Sequence, residues 1–179
     1  MNYCGLKEFD IANGTGTRVS LFVSGCTNNC EGCFQPETQK FDYGVPFTKE
    51  VEDYILKCLE PYYIHGLSVL GGEPFEPSNQ RALVPFLERV KEKYPDKDIW
   101  VYTGFRYEDE LTVPGSHPYC EVTNRFLELT DILVDGRFII SKKDITLKFR
   151  GSSNQCIIDM NSTREEGKVV LWDDKRASE

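Results

Sequence analysis

Apolar runs of strand length alternate with amphipathic runs of helix length along this 179-residue chain, and no other feature restricts its fold as much. Residues 19–23, 67–70, 99–103 and 132–134 are rich in β-branched and large apolar side chains and read as buried strands. Between them, Thr48 is placed to cap a helix running to about Leu59, with Glu50 and Glu52 near the positive end of its dipole. Leu83, Phe86, Leu87 and Val90 mark one face of a second helix, and Val122, Phe126 and Leu129 a third. Pro85 lies inside the second, where it loses a hydrogen bond and crowds the preceding turn, so that helix is expected to start late or to kink. Such alternation predicts an α/β fold of βα units around a largely parallel sheet. Four units are too few for a closed eight-stranded barrel, which takes about 250 residues. The expectation is an incomplete, open (β/α) barrel, with a lateral cleft that could admit a large substrate. Residues 111–120, with Pro114, Gly115 and Pro118, read as a loop.

The first strand runs into Cys26-x-x-x-Cys30-x-x-Cys33, three thiols on one short loop with no fourth cysteine nearby. A closed zinc site or an ordinary ferredoxin cluster takes four protein ligands, so three in this spacing suggest a coordination sphere completed by something else. A zinc reading would need its fourth ligand from Cys4, Cys58, Cys120, Cys156, His65 or His117, and none of these pairs with a neighbour at zinc spacing. Asn28, Asn29 and Gly32 tolerate the left-handed backbone that turns the sulfurs inward. The loop would sit at a strand's C-terminal end, where α/β folds place their sites.

Gly71-Gly72-Glu73-Pro74 follows the second strand, and two glycines let a ligand lie against the backbone itself. Thr103, ending the third strand, is a weaker candidate facing the same mouth. Cys58 falls on the helical face Val51, Tyr54, Ile55, Cys58, Leu59 and is expected in the core, while Cys4, Cys120 and Cys156 have no partner pattern. The glycine-rich stretch from Asn13 to Arg18 lacks the Gly-Lys-Ser/Thr ending of a phosphate loop and precedes a strand, which argues against a nucleotide cradle. His65 and His117 stand in loop-like contexts without a nucleophile motif and read as surface residues.

A net charge of −8 argues against nucleic-acid binding, which needs clustered Lys and Arg. The run Glu108-Asp109-Glu110 reads as solvated surface. There is no apolar stretch of about 18 residues and no signal-peptide pattern at the start, so no membrane association and a cytoplasmic location are expected. Seven cysteines in that reducing compartment should be thiols or metal ligands, not disulfides.

With an aromatic after the last cysteine, Cys26-Thr27-Asn28-Asn29-Cys30-Glu31-Gly32-Cys33-Phe34 resembles the signature of the radical S-adenosylmethionine family. The resemblance implies that Cys26, Cys30 and Cys33 are the catalytic and metal residues, binding three irons of a 4Fe-4S cluster. The fourth iron would be chelated by the amino and carboxylate groups of S-adenosyl-L-methionine. Gly71, Gly72 and Glu73 would help hold the methionyl amino group, while Gly32, Cys33 and Phe34 would line the cofactor beside the cluster.

Further segments resemble the branch of glycyl-radical-enzyme activases that serves the anaerobic ribonucleotide reductase. They are Asn13-Gly14 with Gly16-Thr17-Arg18, residues 21–26, 46–49 and 98–101 with Thr103-Gly104, and residues 134–138 and 150–155. Thr15 stands where that branch has proline. The likeness spans residues 1–159, which would form the radical S-adenosylmethionine domain, with a tail of unknown role at 160–179. It implies reductive cleavage of S-adenosylmethionine, with reduced flavodoxin or a similar protein as electron donor. A 5′-deoxyadenosyl radical would then abstract hydrogen from a glycine Cα on the glycyl-radical loop of the reductase catalytic subunit. Residues 134–138 and 150–155 would either dock that partner or simply close the fold. Two alternatives remain open at this point: a different glycyl-radical client such as pyruvate formate-lyase, and a non-catalytic iron–sulfur electron-transfer module.

Overall fold

The computed structural model describes residues 1–173. In chain order it contains β1 (Asn2–Asp10), β2 (Thr17–Val23), β3 (Val45–Pro46), α1 (Lys49–Cys58), β4 (Ile64–Gly71), α2 (Pro77–Lys93), β5 (Asp98–Tyr102), α3 (Thr123–Leu129), β6 (Ile132–Asp135), β7 (Cys156–Asp159) and α4 (Met160–Glu166). One seven-stranded sheet in the order β3-β1-β2-β4-β5-β6-β7 organises the fold, and it is open. β2, β4, β5 and β6 are parallel, joined through α1, α2 and α3, as the sequence predicts. The flanking strands β1, β3 and β7 are antiparallel and were not expected. β1 reads Asn-Tyr-Cys-Gly-Leu-Lys-Glu-Phe-Asp, whose charges and glycine hide any apolar alternation, and β3 and β7 are only two and four residues long.

Alternation along the central strands sends two sets of side chains to opposite faces. Val19, Leu21, Val23, Leu67, Val69, Ile99, Val101 and Leu133 pack under the helices with Ile55, Leu59, Leu83, Phe86, Leu87, Val90 and Phe126. Each such side chain, fully buried, contributes about 1.5–3 kcal/mol. The other face carries Arg18, Ser20 and Phe22 from β2, Ser68 and Leu70 from β4, and Trp100 and Tyr102 from β5. Near β6 and β7 this second face is apolar, with Trp100, Ile132, Val134 and Ile157 clustered beneath Phe149 and Trp172.

Three local expectations are corrected. α2 starts at Pro77 and runs through Pro85 to Lys93 without a break. Pro85 points to solvent, so the carbonyl it leaves unpaired stays accessible to water. On α1, Tyr54 turns outward to donate to Glu8, and Leu56 joins Ile55 and Leu59 in the core, leaving Cys58 half-buried at its margin. His65 lies on β4, not in a loop, and its Nδ1 accepts from the Thr17 amide at 3.2 Å.

The first part of the 160–179 tail folds back onto the sheet. Asp159 caps α4 by accepting from the Ser162 amide, Leu171 bridges to Ile158, and the Trp172 ring lies 5.6 Å from that of Trp100. Residues 174–179 fall outside the described part. Among the described residues, no helix is long and apolar enough to cross a membrane. All seven cysteines are free.

Candidate active site

β2, β4 and β5 finish at one edge of the sheet, and the loops leaving that edge are stitched together through backbone groups. The Gly72 amide donates to Val23 O at 2.7 Å and the Glu73 amide to Gly25 O at 2.8 Å. A Cβ on Gly71, whose φ is +110°, would lie 2.6 Å from the Val23 carbonyl oxygen, and one on Gly72 would lie 2.7 Å from that of Gly25. The glycine pair is thus required first by the protein's own close-packed backbone, and its remaining surface lines a cavity.

Glu73 is fully buried at this edge. One carboxylate oxygen accepts from the Thr103 hydroxyl at 2.7 Å and the Phe75 amide at 2.9 Å. The other accepts from the Gly104 amide at 2.7 Å and from the Asn28 side chain, on the cysteine loop, at 2.8 Å. Burial outweighs these four donors and raises the Glu73 carboxyl to about 7, with Glu76 adding a smaller push in the same direction. Glu73 therefore clamps the ends of β4 and β5 to the cysteine loop. Asn29 and Gly32 do adopt left-handed backbone, whereas Asn28 does not and instead spends its side chain on that clamp.

The cavity holds about 580 Å³ and is lined by Cys26, Cys30 and Cys33, by Phe34, Gly71, Gly72, Glu73, Thr103 and Gly104, and across the mouth by Phe138, Arg150 and Gln155. Phe34 is 68% exposed at the rim, its ring 5.1 Å from that of Phe138. Gly32 is not in the lining; its open side faces Ile140, whose Cδ1 would stand 2.7 Å from a Cβ there.

Burial pushes the Cys26 thiol up to about 12, with Glu73 and Glu76 contributing, and raises Cys30. Opposing this, backbone amides of Asn28 and Phe138 donate to the two sulfurs, the pattern that supports thiolates around an iron–sulfur group. Among the described residues no three His, Cys, Asp or Glu side chains are gathered to hold a metal ion. A cluster spreads its thiolates over several irons and tolerates wider separations, and it removes their protons on binding. The donor set, its amide partners and the adjoining space suit such a group.

The structure thus brings together every residue singled out in the sequence except Gly32, which supports the loop from outside. It adds a second brace that no motif announced. Glu76, nearly fully buried, accepts from the Thr27 amide at 2.8 Å and the Thr27 hydroxyl at 2.6 Å, while the exposed His117 lies 3.2 Å from its other oxygen and 3.1 Å from that hydroxyl. Asn79 donates to Ser24 O, Gly25 O and Glu73 O. These roles depend on where α2 begins, which residue spacing alone does not reveal. Segments 134–138 and 150–155 bind each other: Gln155 donates to Gly136 O and accepts from the amides of Gly151 and Ser152, and Asn154 donates to Arg137 O. They close the fold and also wall the cavity.

Three cysteines around one cavity at the strand ends of an open α/β sheet are a donor set compatible with the iron–sulfur class of protein. A family model described as a 4Fe-4S single cluster domain matches residues 12–158. The chain is 42% identical over 159 residues to the anaerobic ribonucleoside-triphosphate reductase-activating protein of Haemophilus influenzae, covering 88% of this chain and 97% of the relative. It is 43% identical, with the same coverage, to the protein of that name from Salmonella typhi, and 34% identical over 157 residues to that of Enterobacteria phage T4, covering 87% of this chain and 92% of the relative. It belongs, within that 4Fe-4S class, to the family of anaerobic ribonucleoside-triphosphate reductase-activating proteins.

Proposed function

We propose that this chain activates an anaerobic ribonucleotide reductase by placing a glycyl radical on its catalytic subunit, with Cys26, Cys30 and Cys33 holding a 4Fe-4S cluster open to S-adenosylmethionine. One observation carries the reading: three cysteines line a single cavity whose wall holds no other cysteine and no histidine among the described residues. When bound, cluster and S-adenosylmethionine supply a one-electron cleavage, fed by reduced flavodoxin or a similar donor, that ends in hydrogen abstraction from a glycine Cα of the partner. The chain's own residues position and exclude. Glu73, Asn28 and Thr103 fix the cysteine loop against β4 and β5; Gly71 and Gly72 offer backbone to the methionyl end; Phe34 and Phe138 narrow the mouth against water and stray hydrogen donors. The partner's glycine loop would enter through the part of the cavity mouth that these two touching rings leave uncovered. Residues 1–159 form the catalytic domain in this reading, and the described part of the tail acts as a cover on the sheet.

The test mixes the anaerobically reconstituted, reduced protein with S-adenosylmethionine and the reductase. The expected result is 5′-deoxyadenosine together with a glycyl-radical doublet in the EPR spectrum. A doublet only with pyruvate formate-lyase would move the client and leave the chemistry standing. An EPR spectrum unchanged by S-adenosylmethionine, with no 5′-deoxyadenosine, would mark an electron-transfer module.

A further inference from the structure

The charge of this chain is unevenly distributed, and the exception sits at the cavity mouth. Residues 137–150 hold five of the 21 Lys and Arg (Arg137, Lys142, Lys143, Lys148, Arg150) and one of the 29 Asp and Glu (Asp144). The segment is therefore +4 in a chain that is −12 elsewhere. It crosses the mouth: Phe138, Leu147, Phe149 and Arg150 line the cavity, and Ile140 packs on Gly32 of the cysteine loop. Arg137 pairs with Glu110, Lys143 lies over the Phe34 ring at 5.4 Å, and Arg150 donates to Gln155 O. No carboxylate within salt-bridge distance of Lys142, Lys143 or Arg150 appears among the described residues. Interleaved in sequence with these cations are exposed apolar side chains: Ile139, Ile140 and Ile145, the last 89% exposed.

We infer that residues 137–150 form a cationic and apolar docking rim for an acidic segment of a partner polypeptide that carries apolar side chains of its own. Exposed isoleucines between lysines offer apolar contact area that a polypeptide with apolar side chains can cover and a phosphate backbone cannot. An extended anionic polymer or membrane meets the net negative charge of the rest of the molecule, whereas a short segment entering the cavity feels mainly the rim, since screening confines charge effects to about 8–10 Å. This inference rests on the proposed activation of a partner, and it specifies the chemistry of the surface that partner presents.

The experiment has two arms. In the first, anisotropy is measured for two fluorescein-labelled peptides of about 20 residues, one of Glu, Leu and Gly and one with Lys for Glu, at about 50 and 300 mM salt. The acidic peptide should bind and the basic one should not. Lys142→Glu/Lys143→Glu should weaken binding at least about tenfold and flatten its salt dependence, Ile145→Ser should weaken it without changing the salt slope, and Lys57→Glu on exposed α1 should leave it intact. Preference for the basic peptide, as the net charge alone dictates, overturns the inference, as does tighter binding to vesicles of phosphatidylcholine and phosphatidylglycerol. In the second arm the reductase replaces the peptide. Loss of its binding in the double variant, with partner-free 5′-deoxyadenosine production retained, makes the rim the reductase dock, and unchanged binding excludes that assignment. A wild-type chain that binds the acidic peptide but not the reductase shows the proposed client, and not the rim, to be wrong.

Discussion

Each end of the parallel strands buries one charged side chain completely, and the two are treated in opposite ways. At the start of β2, Arg18 has its countercharge beside it. Its guanidinium meets Asp98 at 2.7 Å, donates to Ser68 Oγ and to the carbonyls of Thr15, Leu67 and Asp98, and stacks toward Trp100. At the other end Glu73 has four hydrogen-bond donors and no cation. The difference separates a floor that is electrostatically complete from a rim that is not. A floor of this kind serves stability, while a rim with a buried, uncompensated carboxylate is suited to receive positive charge from outside the chain.

The largest expected effect breaks the floor. Arg18→Met removes one ion-paired group and leaves three backbone carbonyls and the Ser68 hydroxyl short of a donor. Removing one partner of a buried pair costs about 3–5 kcal/mol, and because Asp98 is partly open to water the lower figure applies. Denaturant unfolding of the metal-free protein measures it, and a cost below about 1 kcal/mol would show that the floor is no keystone.

The next effect sharpens the contrast at the rim. Folding raises the Glu73 carboxyl from 4.5 to about 7, so the folded state holds its proton more tightly than the unfolded chain does. The resulting contribution to stability is fully present below pH 4.5 and is lost as pH rises through about 7. It amounts to something on the order of 3 kcal/mol. Glu73→Gln cannot titrate. The stability of the metal-free wild type relative to this variant should therefore fall across that window, and a pH-independent difference would mean the carboxylate is compensated after all.

The same contrast explains what the sequence made legible. Val19, Leu67, Ile99 and Leu133 are apolar because they lie between sheet and helices, so the parallel centre could be read from composition and spacing. β1 could not, since its residues sit toward an edge where charged and apolar side chains are equally acceptable. Cys26, Cys30, Cys33 and the Gly71-Gly72 pair were visible because their chemistry is local to a few residues. Asn28, Glu76, Asn79 and His117 were not, because each acts through a partner 41 to 90 positions away or through the start of α2. Pro85 misled for a related reason: its cost depends on whether its face of α2 meets water.

A smaller effect separates clamp from charge. Asn28→Ala removes one of four donors to Glu73 and frees the space beside Gly104, which the Asn28 amide now fills. The loss should be about 1–2 kcal/mol in the metal-free protein, because a buried carboxylate gives up one hydrogen bond. Iron and sulfide retained after anaerobic reconstitution should drop with it, since the loop loses its tie to β4 and β5. Full retention would show that the Glu76 brace alone positions the cysteines.

The smallest effect on stability belongs to Cys30→Ala, although it is expected to abolish S-adenosylmethionine cleavage. Cys30 is half-buried on a loop whose backbone is fixed elsewhere: by Gly25 and Glu73, by Asn28 on Glu73, and by Thr27 on Glu76. Its thiol is raised by burial, so in the metal-free protein it is a neutral group accepting one amide hydrogen bond from Phe138. Replacing it should change unfolding free energy by less than about 1 kcal/mol, as for other partly exposed positions outside the core. The same variant should fail to hold a four-iron cluster by iron and sulfide analysis and should form no 5′-deoxyadenosine. Cleavage at the wild-type level would remove Cys30 from the ligand set. A large loss of stability would instead place the cysteine loop among the elements that hold the fold, and the division between a self-sufficient floor and a rim completed by its cofactor would fail.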